Sequence, residues 1–148
     1  MSINLSKARA SATPKAKGGA LRITHRKSGD LLKISPEILR KLNVGKEAFG
    51  KSGKGISIFF LDDAVVIGKD LGDGYQTLSG DLDYPEVYSS FVGQEVCAML
   101  GKELAMNKTI SFPDVTYDQL EGSGEPVAVV NINEYSCAAD ALIEKEDN

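Results

Sequence analysis

Four residues meet every fixed position of the phosphate-binding pattern G-x-x-x-x-G-K-[ST]: Gly45, Gly50, Lys51 and Ser52. In nucleotide hydrolases the backbone amides of this loop wrap a phosphate, and an acidic residue after a later strand holds magnesium. The loop here is followed by an apolar run that ends in Asp62-Asp63, which looks like such a strand end. These residue types could bind a nucleoside triphosphate if the surrounding elements positioned them correctly.

The elements expected around the loop do not suit nucleotide hydrolysis. A working loop of this kind leaves a buried strand and enters a helix, whose N-terminus points at the phosphate. Here a helix is predicted before the loop, and only three residues separate Ser52 from a strand that begins at Ile56. Asp62 would follow that same strand, without the crossover that parallel strands require. The pattern therefore predicts a Lys/Gly-rich loop over residues 46–55 that can contact phosphates, and no ATPase.

Few other side chains suggest catalysis or metal binding. His25 is the only histidine, and it lies on the apolar side of a predicted strand, which favours a packed or hydrogen-bonded histidine over a catalytic base. Asp70 and Asp73, like Asp81 and Asp83, lie in Gly-rich turns that lack the pattern of a calcium loop. We therefore predict no enzymatic activity, no cofactor and no metal site.

Charge is divided unevenly along the chain of 148 residues. Residues 1–60 contain 13 Lys and Arg and three acidic residues, whereas residues 61–148 contain four basic and 18 acidic residues. Such a division indicates a first half that binds polyanions, and a second half that shields the first, binds a basic protein partner or only confers solubility. No apolar run approaches the ~20 residues of a membrane span, so no membrane partner is expected. Cys97 and Cys137 suggest neither a metal motif nor a disulfide framework, which favours a cytoplasmic location.

Three regions are predicted. Residues 1–20 form a basic flexible arm, residues 21–70 a β-rich module, and residues 71–148 an acidic α+β region that closes in an acidic C-terminal tail. The tail, or alternatively a short helix, is expected over residues 139–148.

The module is expected to contain two hairpins. Residues 21–27 alternate between apolar and cationic side chains, which predicts a strand with one cationic face. A turn at 28–30 and a second strand at 31–34 complete the first hairpin. Residues 56–61 and 64–68 are the most apolar pair of strands and predict the core.

Two helices are predicted from their end signals and apolar spacing. Ser35 is a good N-cap, Pro36 suits the first helical position, and Gly45 is a plausible stop, which indicates a helix of two to three turns. A second helix is expected from Pro85 to about Met106, where apolar residues recur at roughly helical spacing.

The remaining second-half segments read as turns and strands. Residues 69–84 are interpreted as turns because Gly and Asp dominate them. Strands are expected over 109–117 and 126–132, on either side of a turn at 122–124.

The stretch LLKISPEILRKLNVG…ISIFFLDDAVVIGK resembles the AbrB/MazE-like swapped-hairpin family over residues 21–70. Members commonly combine a helix that starts I-P-x-E, a loop, and two apolar strands about a tight turn. The matching positions are Ile34, Pro36, Glu37, Ile38, Leu42, Val44, Ile56, Ile58, Phe60 and Val65 to Ile67. The resemblance implies an intertwined homodimer that binds DNA through basic side chains of the first hairpin. The expected fold is therefore α+β and β-rich, with a small swapped-hairpin-like barrel followed by a helix and further antiparallel strands.

The basic residues of the first half are the predicted nucleic-acid contacts. The resemblance assigns this role to the first hairpin and the adjoining helix, and the loop and the arm can add phosphate contacts. The set is Arg22, Arg26, Lys27, Lys33, Arg40, Lys41, Lys51, Lys54, Arg9, Lys15 and Lys17. Tyr75, Tyr84 and Tyr88 lie in the acidic half, so no aromatic surface for stacking single-stranded bases is expected.

Two functions remain open at this point. The first is a non-enzymatic DNA-binding homodimer that acts as a regulator, an antitoxin or a nucleoid-type protein. The alternative is a structural or assembly protein, for example a phage virion component, whose basic arm docks on neighbouring subunits or nucleic acid. Under that alternative the protein would reside in the virion.

Overall fold

The computed structural model describes residues 19–144. The predicted contacts Arg9, Lys15 and Lys17, most of the predicted arm, and the last four residues of the predicted tail lie outside the described residues. Ala20, which the sequence places in the arm, is buried, and its backbone N–H donates to the Phe112 carbonyl at 2.8 Å. The folded chain therefore begins before residue 21.

The described chain contains thirteen short strands and two α-helices. The strands are β1 (Leu21–Arg26), β2 (Gly29–Ile34), β3 (Ile56–Phe60), β4 (Ala64–Gly68), β5 (Tyr75–Gln76), β6 (Ser79–Gly80), β7 (Pro85–Tyr88), β8 (Lys102–Leu104), β9 (Thr109–Phe112), β10 (Val115–Gln119), β11 (Pro126–Asn131), β12 (Ser136–Cys137) and β13 (Leu142–Glu144). The helices are α1 (Pro36–Lys41) and α2 (Ser90–Leu100), and a 3-10 turn spans Lys46–Ala48.

The strands form three antiparallel sheets. The six-stranded sheet has the order β12-β9-β1-β2-β7-β6, the five-stranded sheet has the order β10-β11-β4-β3-β5, and β13 pairs with β8. The β-rich α+β class is as predicted. The predicted barrel is not formed, because no sheet within residues 19–144 closes on itself. Both strands of the first hairpin instead use their second edge for a strand of the other half, β9 or β7.

The two predicted hairpins of the first half are confirmed. In the first, Arg26 pairs with Gly29, whose φ of 121° suits a residue without a side chain, so β2 begins earlier than expected. In the second, β3 and β4 pair with Phe60 opposite Val65. The predicted turn at 122–124 likewise joins β10 to β11.

Helix α1 begins as predicted and ends earlier. The Ser35 hydroxyl accepts from the Glu37 backbone N–H at 3.3 Å, and Pro36 occupies the first turn. Asn43, with φ of 60°, takes the left-handed position that stops the helix, so Gly45 is not the stop.

The helix predicted from Pro85 to Met106 is wrong at both ends. Residues Pro85–Tyr88 form β7, because their alternating side chains pair with β2. The Ser89 hydroxyl accepts from the Val92 N–H at 3.2 Å and so starts α2, and Gly101, with φ of 68°, ends it. The described part of the predicted tail, up to residue 144, differs from the expectation of a helix or tail, since β13 pairs with β8.

The inner faces of both large sheets share one hydrophobic core. A row of inward side chains crosses the six-stranded sheet in register and is almost fully buried: Ile110, Ile23, Leu32 and Val87. Inward side chains of the five-stranded sheet and of α1 belong to the same cluster. Alternation along β1 therefore sends Leu21 and Ile23 to the core and their neighbours Arg22 and Thr24 to the outer face.

Helix α2 and its N-cap residue Ser89 contact β2 closely at Asp30. The Ser89 backbone N–H donates to the Asp30 carbonyl at 3.0 Å, and the Asp30 N–H donates to the Ser90 hydroxyl at 3.3 Å. A Cβ at Gly93 would overlap the buried Asp30 carboxylate. Glycine is therefore required at Gly93 for the helix to approach the sheet this closely.

We expect Gly93→Ala to lower the free energy of unfolding by about 1–3 kcal/mol, because the methyl group displaces a fixed carboxylate. Urea unfolding measures the effect. Gln94→Ala, at the adjacent exposed position of the same helix, should stay within about 0.5 kcal/mol of the parent. A stabilised Gly93→Ala protein, as helix propensity alone would give, would contradict this packing.

Candidate nucleic-acid interface

The outer face of the six-stranded sheet carries three cations on its two central strands. Arg22 and Arg26 alternate with the core residues of β1, and Lys33 lies directly opposite Arg22 on β2. We call Arg22, Arg26 and Lys33 the cationic face. The predicted strand with one cationic side is confirmed in its alternation, since Leu21 and Ile23 are buried behind it.

These cations have no carboxylate partner in the described part of the chain. The ion pairs found there are His25–Asp30, Lys54–Asp70, Lys102–Glu144 and Lys108–Asp140. The Nε atoms of Arg22 and Arg26 are buried, and among residues 19–144 neither has a hydrogen-bond partner. A buried donor without an acceptor is costly, and these two Nε atoms carry that cost in the described chain.

Strand pairing also brings two tyrosines of the acidic half to this face. Tyr88 on β7 is 56% exposed, and the Arg26 guanidinium carbon lies 5.3 Å from its ring centroid. Tyr84 is 76% exposed and lines a cleft of 440 Å³ together with Arg22 and Lys33. The position of Tyr84 and Tyr88 in the acidic half of the sequence therefore does not keep them away from the cationic residues, because β7 pairs with β2.

Acidic side chains form another part of the cleft wall. Glu86 lies opposite Lys33 in the register of β7 and β2, and Asp83 precedes Tyr84 in the β6–β7 turn. The cleft thus presents cations, an aromatic ring and carboxylates to a single ligand. Sequence reasoning missed it because its walls come from residues far apart in the chain.

The remaining predicted contacts of the hairpin and of α1 lie in two places. Lys27 adjoins the cationic face, whereas Arg40 and Lys41 do not. Lys27 is exposed in the turn that follows Arg26, and so extends the cationic face at the hairpin end. Lys41 on α1 lies with its Nζ 5.8 Å from the ring centroid of Tyr117 on β10, which belongs to the five-stranded sheet. Arg40 is exposed on the same short helix. The helix cations therefore point toward a different sheet edge.

The two predicted loop contacts, Lys51 and Lys54, differ in whether an acidic side chain pairs with them. Lys51 is exposed in a turn, whereas the Lys54 Nζ is 2.5 Å from an Asp70 carboxylate oxygen. The Tyr75 hydroxyl also donates to Asp70. These two partners lower the pKa of Asp70 from 3.8 to about 2, the Lys54 hydrogen bond being the larger cause. Lys54 therefore anchors the loop, and its charge is already compensated.

The loop geometry also differs from a nucleotide-binding loop. The chain passes from Ser52 through a turn and enters β3 at Ile56, and the Gly55 N–H donates to the Ala48 carbonyl at 2.9 Å. The element after the Lys-Ser pair is thus a strand, as the sequence predicts, and no helix N-terminus points at the loop from that side.

His25 is hydrogen-bonded, as predicted. Its Nδ1 lies 2.6 Å from the buried Asp30 carboxylate, in a second cleft of 310 Å³ that Gln94 and Cys97 also line. Burial raises the pKa of the Cys97 thiol, so the thiolate form needed for nucleophilic attack is disfavoured at neutral pH. The sequence does not identify Asp30 as the partner of His25, because residues 28–30 are predicted to form a turn.

The described residues contain neither a metal-binding cluster nor a membrane-spanning helix. Within residues 19–144, no group of three or more His, Cys, Asp and Glu side chains is placed to hold a metal ion. None of the helices between those positions is both long and apolar enough to cross a membrane.

Comparisons with known proteins give no family or relative. No family model, no curated protein and no solved structure matches the chain. The AbrB/MazE-like resemblance therefore stays a prediction.

The Lys54–Asp70–Tyr75 cluster should contribute to stability in a pH-dependent way. Because the pKa of Asp70 is below its ordinary value, its contribution to stability is present above pH 3.8 and is lost as the pH falls towards 2. An NMR titration should give a pKa near 2 for Asp70 and a higher value in Lys54→Gln, still below 3.8 because the Tyr75 hydroxyl continues to donate to the carboxylate. The carboxyl group of Asp140, whose pKa is lowered by Lys108, is the internal control and should not change. An unshifted Asp70 in the parent protein would refute the pairing.

Proposed function

We propose that the protein is a non-enzymatic DNA-binding homodimer that holds phosphates on its cationic face. The observation that carries this proposal is the side-by-side placement of Arg22 and Lys33, with Arg26 four residues further along β1, without any carboxylate partner in the described chain. Lys and Arg side chains bind nucleic acid by displacing the counterions of its phosphates. Such contacts position the nucleic acid and do not read its sequence.

The acidic residues of the second half favour contact of nucleic acid with the cationic face. Residues 61–148 carry an excess of acidic residues, which repel phosphates where they lie at the surface. The unpaired cations of the outer sheet face are then the favoured point of contact. The roles of regulator, antitoxin and nucleoid-type protein all fit this surface.

An apolar surface patch supports self-association. Phe91 is 60% exposed at the start of α2, where its ring contacts Phe60 with centroids 6.1 Å apart, and the neighbouring Leu61 is 54% exposed. Exposed apolar groups of this size are typical of protein–protein contacts. We assign this patch to the dimer contact, where a two-fold axis would pair it with its own copy.

The same patch favours the second candidate function, a structural or assembly protein whose partner is a neighbouring subunit. The two candidates differ in their ligand. The DNA-binding protein binds nucleic acid by itself, whereas the assembly protein requires only the protein contact.

We expect anisotropy of a labelled mixed-sequence oligonucleotide to show binding that weakens on the order of 10²-fold between 50 and 200 mM salt, as about four phosphate contacts require. Both single-stranded and duplex forms should be titrated. If neither the single strand nor the duplex binds at 50 mM salt, the DNA-binding proposal is eliminated and the assembly protein remains.

Single substitutions locate the contact. Arg22→Gln and Lys33→Gln should each weaken binding several-fold and reduce the slope of log affinity against log salt by about 1. Lys69→Gln, an equal loss of charge just after β4 in the five-stranded sheet, serves as the matched control. Equal effects from all three substitutions would place the contact elsewhere.

Sedimentation equilibrium tests the dimer. We expect a dimer at micromolar concentration, and Phe91→Asp should shift it to monomer because a charge is then desolvated in an apolar contact. Met106→Asp, at another exposed apolar side chain, should leave the dimer intact. A parent protein that sediments as a monomer would refute the proposed contact.

A further inference from the structure

We propose that the cleft beside the cationic face binds single-stranded nucleic acid, with an unpaired base stacked on Tyr84 and a phosphate held by Arg22 and Lys33. This inference rests on the proposed function and specifies its ligand. It differs from the duplex contact that a hairpin of basic side chains alone would suggest.

The first argument is the exposure and placement of the tyrosines. Tyr84 and Tyr88 flank the outer side of β7, on the same face as Arg22 and Lys33. Exposed aromatic rings beside a cationic strip are the arrangement that single-strand-binding proteins use, because bases stack on the rings while the backbone follows the cations. In a duplex the bases are already stacked on each other and cannot use these rings.

The second argument is that Tyr84 is held in place. The Asp81 carboxylate accepts from the backbone N–H groups of Asp83 and Tyr84, each at 2.9 Å. Gly80, with φ of 80°, pairs with Pro85 and closes the turn. The ring is therefore carried by a fixed backbone on a tight turn next to a sheet, so little backbone entropy is lost when a base stacks on it.

The third argument is the division of charge inside the cleft. Arg22 and Lys33 attract a phosphate, and neither forms an ion pair with a carboxylate within the described chain. Asp83 and Glu86 on the other part of the wall repel any second phosphate. A duplex presents two charged backbones to such a site, whereas a single strand presents one backbone and its bases.

The fourth argument is size and chemistry. A cleft of 440 Å³ lies within the ~300–1,000 Å³ of small-ligand sites and can accept one nucleotide. Carboxylates accept hydrogen bonds from the amino group of cytosine. The acidic wall can therefore contact a base at the same time as the basic wall holds its phosphate.

The experiment compares a fluorescein-labelled 12-nucleotide single strand of mixed sequence with its duplex, using the full chain at 50 mM salt. We expect the single strand to bind at least about tenfold more tightly. Tyr84→Leu should weaken single-strand binding by about 5- to 100-fold, the range expected for the loss of one stacked base. Its salt slope should stay unchanged, because no phosphate contact is removed.

Two variants control for the loss of the ring. Tyr84→Phe keeps the ring and should bind like the parent protein. Tyr117→Leu makes the same substitution as Tyr84→Leu at an exposed tyrosine of the five-stranded sheet and should also bind like the parent. A circular dichroism melt of each variant separates lost binding from lost folding.

Intrinsic fluorescence supplies a second readout. The chain has five tyrosines and no tryptophan, so base stacking should quench tyrosine emission, and Tyr84→Leu should remove part of this quenching. Tighter duplex binding, or an unchanged Tyr84→Leu protein, would overturn the single-strand inference and leave the DNA-binding proposal standing. Failure of both oligonucleotides to bind would remove the proposed function and, with it, this inference.

Discussion

The pairing of the first hairpin with strands of the second half is the constraint on which the structure depends. The outer edge of β1 bonds to β9 and that of β2 bonds to β7, so the hairpin lies at the centre of an open sheet. The two halves, which differ sharply in charge, are thereby joined by backbone hydrogen bonds. This pairing places Tyr84 and Tyr88 beside Arg22 and Lys33, and it leaves no unpaired edge on the hairpin from which a barrel could be closed within one chain.

Alternation along the strands couples the core to the candidate site. The row formed by Ile23, Leu32 and Val87 is fully covered, and the adjacent row on the other face contains Arg22, Lys33 and Glu86. Burial of the first row supplies the hydrophobic free energy that fixes the register. The position of each charged side chain relative to its neighbours is then a consequence of the packing behind it.

Local signals in the sequence predicted the local elements. The Ser-Pro start of α1, the alternation in β1, and the apolar runs of β3 and β4 each reflect forces that act within a few residues. The prediction of a helix from Pro85 to Met106 is wrong at its start because Val87 fits helical spacing and strand alternation equally well. Only the pairing of Val87 with Leu32 decides between the two. The cleft could not be predicted for the same reason, since Lys33 and Glu86 meet only through long-range strand pairing.

The register between β2 and β7 has a consequence for how this protein can vary. A slip by one residue would turn Val87 outward and carry Glu86 and Tyr88 into the core, so the same error would destroy both the hydrophobic layer and the cleft. Insertions or deletions inside either strand are therefore excluded by stability alone. Length changes are accommodated instead in segments between the strands that do not line the cleft, where new residues leave the spacing of the charges unchanged.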